Sequence, residues 1–197
     1  MNYLFHMLLS GDDELLVGNF MGDFVKGRLD DRFPPRIRQG VALHRAIDSF
    51  ADKDPSFRKS RFALDARYGL YRGVLVDLFY DHFLVRDWHT VSPSPLAAFL
   101  KHARSVVERH HDELPERQQK LVTYIFEELI PLYGEIDGVA DALRRMSRRI
   151  GRPNPLSGGE AELVAHYESL HADFQEFTPR ARLFAADACA VQERDRL

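Results

Sequence analysis

The stretch Gly73-Val74-Leu75-Val76-Asp77-Leu78-Phe79-Tyr80-Asp81-His82-Phe83-Leu84-Val85 is apolar on every side of a helix except for two carboxylates and one imidazole. A helix of that kind has no face to offer water, so it must lie inside a layer of other helices. The rest of the chain agrees. Apolar residues recur at helical spacing almost throughout, and no sustained alternation flanked by Asn-Gly or Asp-Gly turns marks a strand. The expected fold is all-α, a single-domain multi-helix bundle over residues 1–197. A chain of that length buries roughly 70% of its unfolded surface, enough for one core without staples.

Helix boundaries follow from the breakers. The first helix is expected from about Asp12, where an acidic trio meets the positive end of the dipole, to Gly27. The run Asp30-Asp31-Arg32-Phe33-Pro34-Pro35 cannot continue it, because two prolines remove two N–H donors. Further helices are read over Arg36 to Ala51, Pro55 to Tyr68, Leu70 to Trp88, Leu96 to His111 and Pro115 to Tyr133, with Pro131 bending or ending the last. Asp137 to Ile150 is a basic helix, the Gly- and Pro-rich segment from Gly151 to Gly159 is a loop, and Glu160 to Phe177 and Pro179 to Glu193 close the bundle.

Chemistry is concentrated where polar groups interrupt apolar helices. Asp77 and Asp81 are four apart, hence about 40° apart around the axis, and two like charges there destabilise a helix unless something compensates. In a low-dielectric interior an unpaired carboxylate finds a cation or takes up a proton, and a divalent metal is the simplest answer. The plainer alternative is a pair satisfied by hydrogen bonds, with Arg72 and Arg86 as nearby counter-charges. His44 and Asp48 repeat the spacing one helix earlier, and imidazole with carboxylate suits Zn²⁺, Mn²⁺ or Fe²⁺. Asp23 follows Gly18 and Gly22, which would let a backbone or a ligand approach closely, although taken alone the stretch reads slightly better as two helix-packing glycines and an exposed turn aspartate. His6 in its apolar run is ambiguous, since a lone histidine there is more often a satisfied core residue than a ligand.

Other classes are excluded by what is missing. The apolar run Tyr3 to Leu9 lacks a basic leader and is far short of the about 20 residues a membrane span needs, so neither a signal peptide nor a membrane anchor is expected. Cys189 has no partner for a disulfide, consistent with a cytoplasmic protein. With 27 Lys plus Arg against 30 Asp plus Glu, bulk nucleic-acid binding is not expected. No phosphate-binding glycine loop, nucleophile elbow or reactive-thiol context is present.

Taken in order, Asn2-Tyr3-Leu4-Phe5-His6, Gly18-Asn19 with Asp23-Phe24, Phe33-Pro34-Pro35, His44-Arg45-Ala46-Ile47-Asp48, and Asp77 with Asp81-His82-Phe83-Leu84 resemble the acyl carrier protein phosphodiesterase family. The likeness spans nearly the whole chain, with its specific motifs in residues 1–90. It implies a metal-dependent hydrolase, usually associated with Mn²⁺, that cleaves 4′-phosphopantetheine from a serine of acyl carrier protein. It also implies a distant, HD-domain-like relationship, with histidines and aspartates on several helices holding metal. Here the order is Asp81-His82 where an HD domain has His-Asp, so ligands cannot be transferred by position.

The resemblance makes Asp23, His44, Asp48, Asp77, Asp81 and His82 the pool for metal ligands and general base, with Asp23 and His82 among the catalytic candidates and His6 behind the ligands or as general acid. The acidic partner implied by the family would meet Lys26, Arg28, Arg32, Arg36, Arg38 and Arg45, with Arg144, Arg145, Arg148, Arg149 and Arg152 as a second basic set. Two readings compete with this one. An HD-like nucleotide phosphohydrolase would cleave free nucleotides and ignore acyl carrier protein, and a helical binding module without catalysis would hold its acids in salt bridges and retain no metal.

Overall fold

The computed structural model describes residues 2–29 and 31–194, and side chains through residue 190. Met1, Asp30 and the last three residues lie outside the described set, so the expected break at Asp30-Asp31 is seen only from Asp31 onward. Among the described residues there is no strand. Helices α1 (Tyr3–Leu8), α2 (Asp13–Met21), α3 (Pro35–Ala51), α4 (Pro55–Ala63) and α5 (Tyr71–Arg86) carry the first half. A short α6 (Trp88–Val91) leads to α7 (Leu96–Arg109). The next helical segment is broken into α8 (Glu116–Gln119), α9 (Val122–Tyr124), a π-turn over Ile125–Leu129, and α10 (Ile130–Leu132). Finally α11 (Ile136–Ile150), α12 (Glu160–Ala165) and the long α13 (Tyr167–Arg194) complete the all-α bundle.

The helix with no polar face sits where its composition demands. Leu75, Val76, Leu78, Phe79, Tyr80, Phe83 and Leu84 of α5 are all buried, and they join one continuous apolar cluster that runs from Leu4 to Cys189. On one side of that cluster α2 and α3 cross almost backbone to backbone. A Cβ on Gly18 would lie 2.0 Å from the Ile37 carbonyl oxygen, and one on Gly40 would lie 2.4 Å from that of Leu15. Both positions therefore need glycine for packing. Asp12 caps α2 by accepting from Leu15 N–H, and the same carboxylate receives the Arg36 guanidinium, which ties the start of α3 to the start of α2.

Several local expectations do not hold. Helix α1 stands where none is expected, the helix from Pro55 ends at Ala63 rather than Tyr68, and the one from Glu160 breaks at His166. The first long helix stops at Met21 rather than Gly27, because the chain turns at Gly22 to admit the His44 ring. No break occurs at Pro179, which lies inside α13. An internal proline costs about 3 kcal/mol, but it follows Phe174 and Phe177, buried against Phe5, Phe57 and Tyr80. Each such ring contributes about 1.5–3 kcal/mol on burial, so the packing outweighs the proline. Pro131 acts as expected: it has no N–H for the carbonyl of Glu127, and the helix widens into the π-turn just before it.

Candidate active site

Helix α3 presents His44 and Asp48 on one face, one turn apart, with His44 Nε2 3.3 Å from Asp48 Oδ2. The His44 ring is held from behind, its Nδ1–H donating to the Asn19 carbonyl at 2.8 Å. That bond fixes the tautomer and leaves Nε2 pointing forward, the usual way a ligating histidine is oriented. Gly22 makes room for the ring, since a Cβ there would come within 2.1 Å of it. Asn19 also reaches the other way, donating its amide to the His6 carbonyl at 2.7 Å and to Ser10 Oγ at 3.1 Å, so one side chain links α1 to the seat of His44.

From α1, His6 stacks on His44 with ring centroids 3.7 Å apart, and its Nε2 lies 3.2 Å from Asp48 Oδ1. Both ring nitrogens of His6 are buried and neither makes a hydrogen bond, the proximity to Asp48 notwithstanding. Two orphaned nitrogens in a 1% exposed imidazole are costly unless a ligand takes one of them. One donor atom each from His6, His44 and Asp48 fall within 4.8 Å of one another, a nitrogen and oxygen set that suits a divalent cation. Asp23, on the turn after α2, stands at the mouth, 3.8 Å from His44 Nε2 and more than half exposed.

The electrostatics follow from this geometry. Burial alone would lower the pKa of His44, but the carboxylates of Asp23 and Asp48 outweigh it and push it up to about 9. His6 is driven down to about 4 by burial and by the charge of His44. Burial would raise Asp48 and Asp23, yet the histidines hold both below the usual carboxylate range. Asp77 moves the other way: burial raises its pKa, and the like charges of Asp48 and Asp23 add to the effect. Asp23, Asp48 and Asp77 all line one cleft of about 680 Å³, with Tyr3, Lys26, Arg117 and Arg149 around it.

A family model of acyl carrier protein phosphodiesterase matches residues 1–181. The chain belongs to that family. Named relatives include the acyl carrier protein phosphodiesterase of Pectobacterium atrosepticum, 34% identical over 91% of this chain and 95% of its own. Those of Yersinia pestis and Escherichia coli O139:H28 are 34% and 33% identical, each over 91% of this chain and 94% and 95% of their own. No solved structure matches the chain.

Of the expected residues, Asp23, Asp48 and Asp77 line the cleft, and His44 lies within 4 Å of both Asp23 and Asp48. His6 joins them as a candidate ligand rather than a residue behind the ligands. Asp81 and His82 are not brought there. Asp81 is fully buried, and its two oxygens accept from Leu4 N–H at 3.0 Å and Phe5 N–H at 3.1 Å. It caps two free N–H groups of α1, so both oxygens of this carboxylate have backbone donors. His82 donates to the Tyr133 carbonyl at 2.7 Å and meets Tyr167 Oη at 3.1 Å, on a separate stretch of core.

The basic stretch is likewise divided. Arg36 is 5% exposed, with its guanidinium bonded to Asp12 and Gln39. Arg38 pairs with Asp31, and Arg45 donates to the Val25 carbonyl at 3.0 Å. Lys26 and Arg28 are exposed, and Lys26 lines the cleft. Asn19, Tyr3 and Arg117 were missed as site residues by the sequence reading. Asn19 carried the one available signal, an amide among small and apolar residues.

Proposed function

We propose that this chain hydrolyses the phosphodiester that joins 4′-phosphopantetheine to a serine of acyl carrier protein, releasing the apo protein and 4′-phosphopantetheine, with Mn²⁺ held by His6, His44 and Asp48. The carrying observation is the pair of buried, unbonded nitrogens of His6 beside His44 and Asp48. When bound, a divalent cation supplies charge to the diester oxygens and lowers the pKa of water. The chain's own groups do the rest. Asn19 keeps His44 Nε2 facing Asp48 and Asp23. Asp23, outside the buried set and held ionised by His44, is placed to take a proton from an attacking water. Asp77, with its raised pKa, is suited to carry a proton to the departing serine oxygen.

Lys26, Arg117 and Arg149 lining the cleft, with Arg28 exposed two residues from Lys26, fit an acidic protein substrate. Residues 1–197 act on this reading as one domain in the cytoplasm, distantly HD-like, with no nucleic-acid partner. Among the described residues no helix is long and apolar enough to cross a membrane. Incubation with holo acyl carrier protein and Mn²⁺, followed by intact mass measurement, tests the reading. Loss of the prosthetic-group mass is the expected result, abolished by chelation. An unchanged holo mass together with cleavage of free nucleotides would move the assignment to the nucleotide phosphohydrolases, and inertness toward both with no metal retained would leave a binding module.

A further inference from the structure

A second cavity, about 280 Å³, adjoins the cleft and shares Tyr3, Met146 and Arg149 with it. Beyond that shared mouth its walls are Leu121, Ile125, Leu129 and Ala142, with Tyr124 and Arg145 as the polar members. The Arg145 guanidinium stacks over the Tyr124 ring at 5.1 Å, so these two are held together at the wall. An apolar cavity with a few fixed polar groups is the usual form of a small-molecule site. Two of its wall residues, Ile125 and Leu129, are the first and last residues of the π-turn just before Pro131, and such turns recur at functional sites. The phenol of Tyr3 stands between the two cavities, its pKa raised to about 12 by burial and by Asp23, so it stays a hydrogen-bond donor at neutral pH.

We infer that this cavity is the subsite for the thiol-bearing end of the prosthetic arm, whose phosphate lies at the carboxylate-lined cleft. The inference rests on the proposed function. The arm is a chain of amides that ends in an ethyl thiol, so it needs an apolar channel with occasional polar contacts leading away from the phosphate. The second cavity shares Tyr3, Met146 and Arg149 with the cleft and has that character. Leu129, half-buried on the π-turn, is the residue whose size sets the space available without touching the metal-binding side chains.

The test uses full-length protein with Mn²⁺ and holo acyl carrier protein as substrate, with free 4′-phosphopantetheine and inorganic phosphate as inhibitors. Leu129→Trp should raise the inhibition constant of 4′-phosphopantetheine about tenfold or more, the scale of misfit in an apolar pocket, and leave that of phosphate where it was. Leu129→Ala should keep arm binding near wild type. If Leu129→Trp fails to fold, Met146→Trp at the shared mouth makes the same comparison. An unchanged ratio of the two inhibition constants in a folded variant overturns the subsite. A wild-type protein that leaves holo acyl carrier protein intact fails the functional reading itself, and the subsite with it, whereas cleavage by wild type and variants with identical arm inhibition fails the subsite alone.

Discussion

The polar group formed by His6, His44 and Asp48 and the one formed by Asp81 and His82 use the same kinds of side chain, with their histidines at similar depth but Asp48 43% exposed. Asp81 and His82 are fully buried, and His6 and His44 nearly so. Around Asp81 and His82 the protein supplies its own partners: two α1 amides, a carbonyl and a tyrosine hydroxyl. Around His6 it supplies only Asp48, 3.2 Å from Nε2, with no hydrogen bond to either ring nitrogen, and around His44 it packs two carboxylates. The Asp81–His82 group has protein partners throughout. The His6–His44–Asp48 group leaves the His6 ring nitrogens without a hydrogen bond, and its Asp48 lines the cleft. Satisfaction, rather than residue type or burial, separates architecture from site.

Removing a donor from the His6–His44–Asp48 group should have the largest effect. Asp48→Ala should reduce diester cleavage on the order of a thousandfold, the loss of several kcal/mol of charge stabilisation. The same variant should lose the rise in Tm that Mn²⁺ gives wild type, a gain of about 2.7 kcal/mol at a hundred times the dissociation constant. Turnover by mass spectrometry and melting by calorimetry check both. A folded variant that keeps the Mn²⁺-dependent rise would remove Asp48 from the ligand set.

The Asp81–His82 group should respond in the opposite way. Asp81→Asn leaves one α1 amide facing an NH₂ instead of an acceptor, which costs about 1–3 kcal/mol, or a Tm loss of roughly 2–4 °C per kcal/mol for a chain of this size. The Mn²⁺-dependent rise should persist in full. Burial raises the Asp81 pKa to about 7 against the two amide bonds that favour the ionised form. If Asp81→Asn melts like wild type but loses the metal response, the two regions have been assigned the wrong way round.

Acidity distinguishes them too. With no cation on its Nε2, His44 has a pKa raised to about 9. A value above the unfolded reference of about 6.5 means stability that is fully present below about pH 6.5 and lost as pH rises through 9. A cation on Nε2 must displace that proton, so its apparent affinity climbs with pH over the same window. At fixed Mn²⁺ the Tm increment should therefore be larger near about pH 8 than near about pH 6.5, while metal-stripped protein falls. Calorimetry at the two values, with His44→Gln as the variant that should flatten both trends, decides the matter.

What the sequence disclosed of this contrast depends on distance along the chain. The His44–Asp48 pair and the buried character of α5 were legible because spacing within one helix maps directly onto a face. Asp77 and Asp81 looked equivalent for the same reason, and only the tertiary position of α1 tells them apart: the N-terminus of a six-residue helix lies against Asp81. That helix is too short for periodicity to reveal, so neither its cap nor the convergence of His6 with His44 was readable. Pro179 marked a break that distant aromatic packing overrides.

The smallest expected effect lies at the surface, where Lys26 and Arg36 look alike in sequence and differ in the fold. Lys26 is exposed at the cleft, whereas Arg36 is buried against Asp12. Lys26→Glu should raise KM for holo acyl carrier protein about two- to fivefold with kcat nearly unchanged, since an exposed pair is worth at most about 1 kcal/mol and acts on ground and transition states alike. Added salt should reproduce the change in wild type and have less effect on the variant, because exposed charges are screened over about 8 Å at physiological ionic strength. Arg36→Leu should leave KM alone and lower Tm instead, because it strips Asp12 of its buried partner at the junction of α2 and α3. Kinetics and melting on both variants read the two roles separately, and a KM effect confined to Arg36→Leu would place the docking charge on α3 after all.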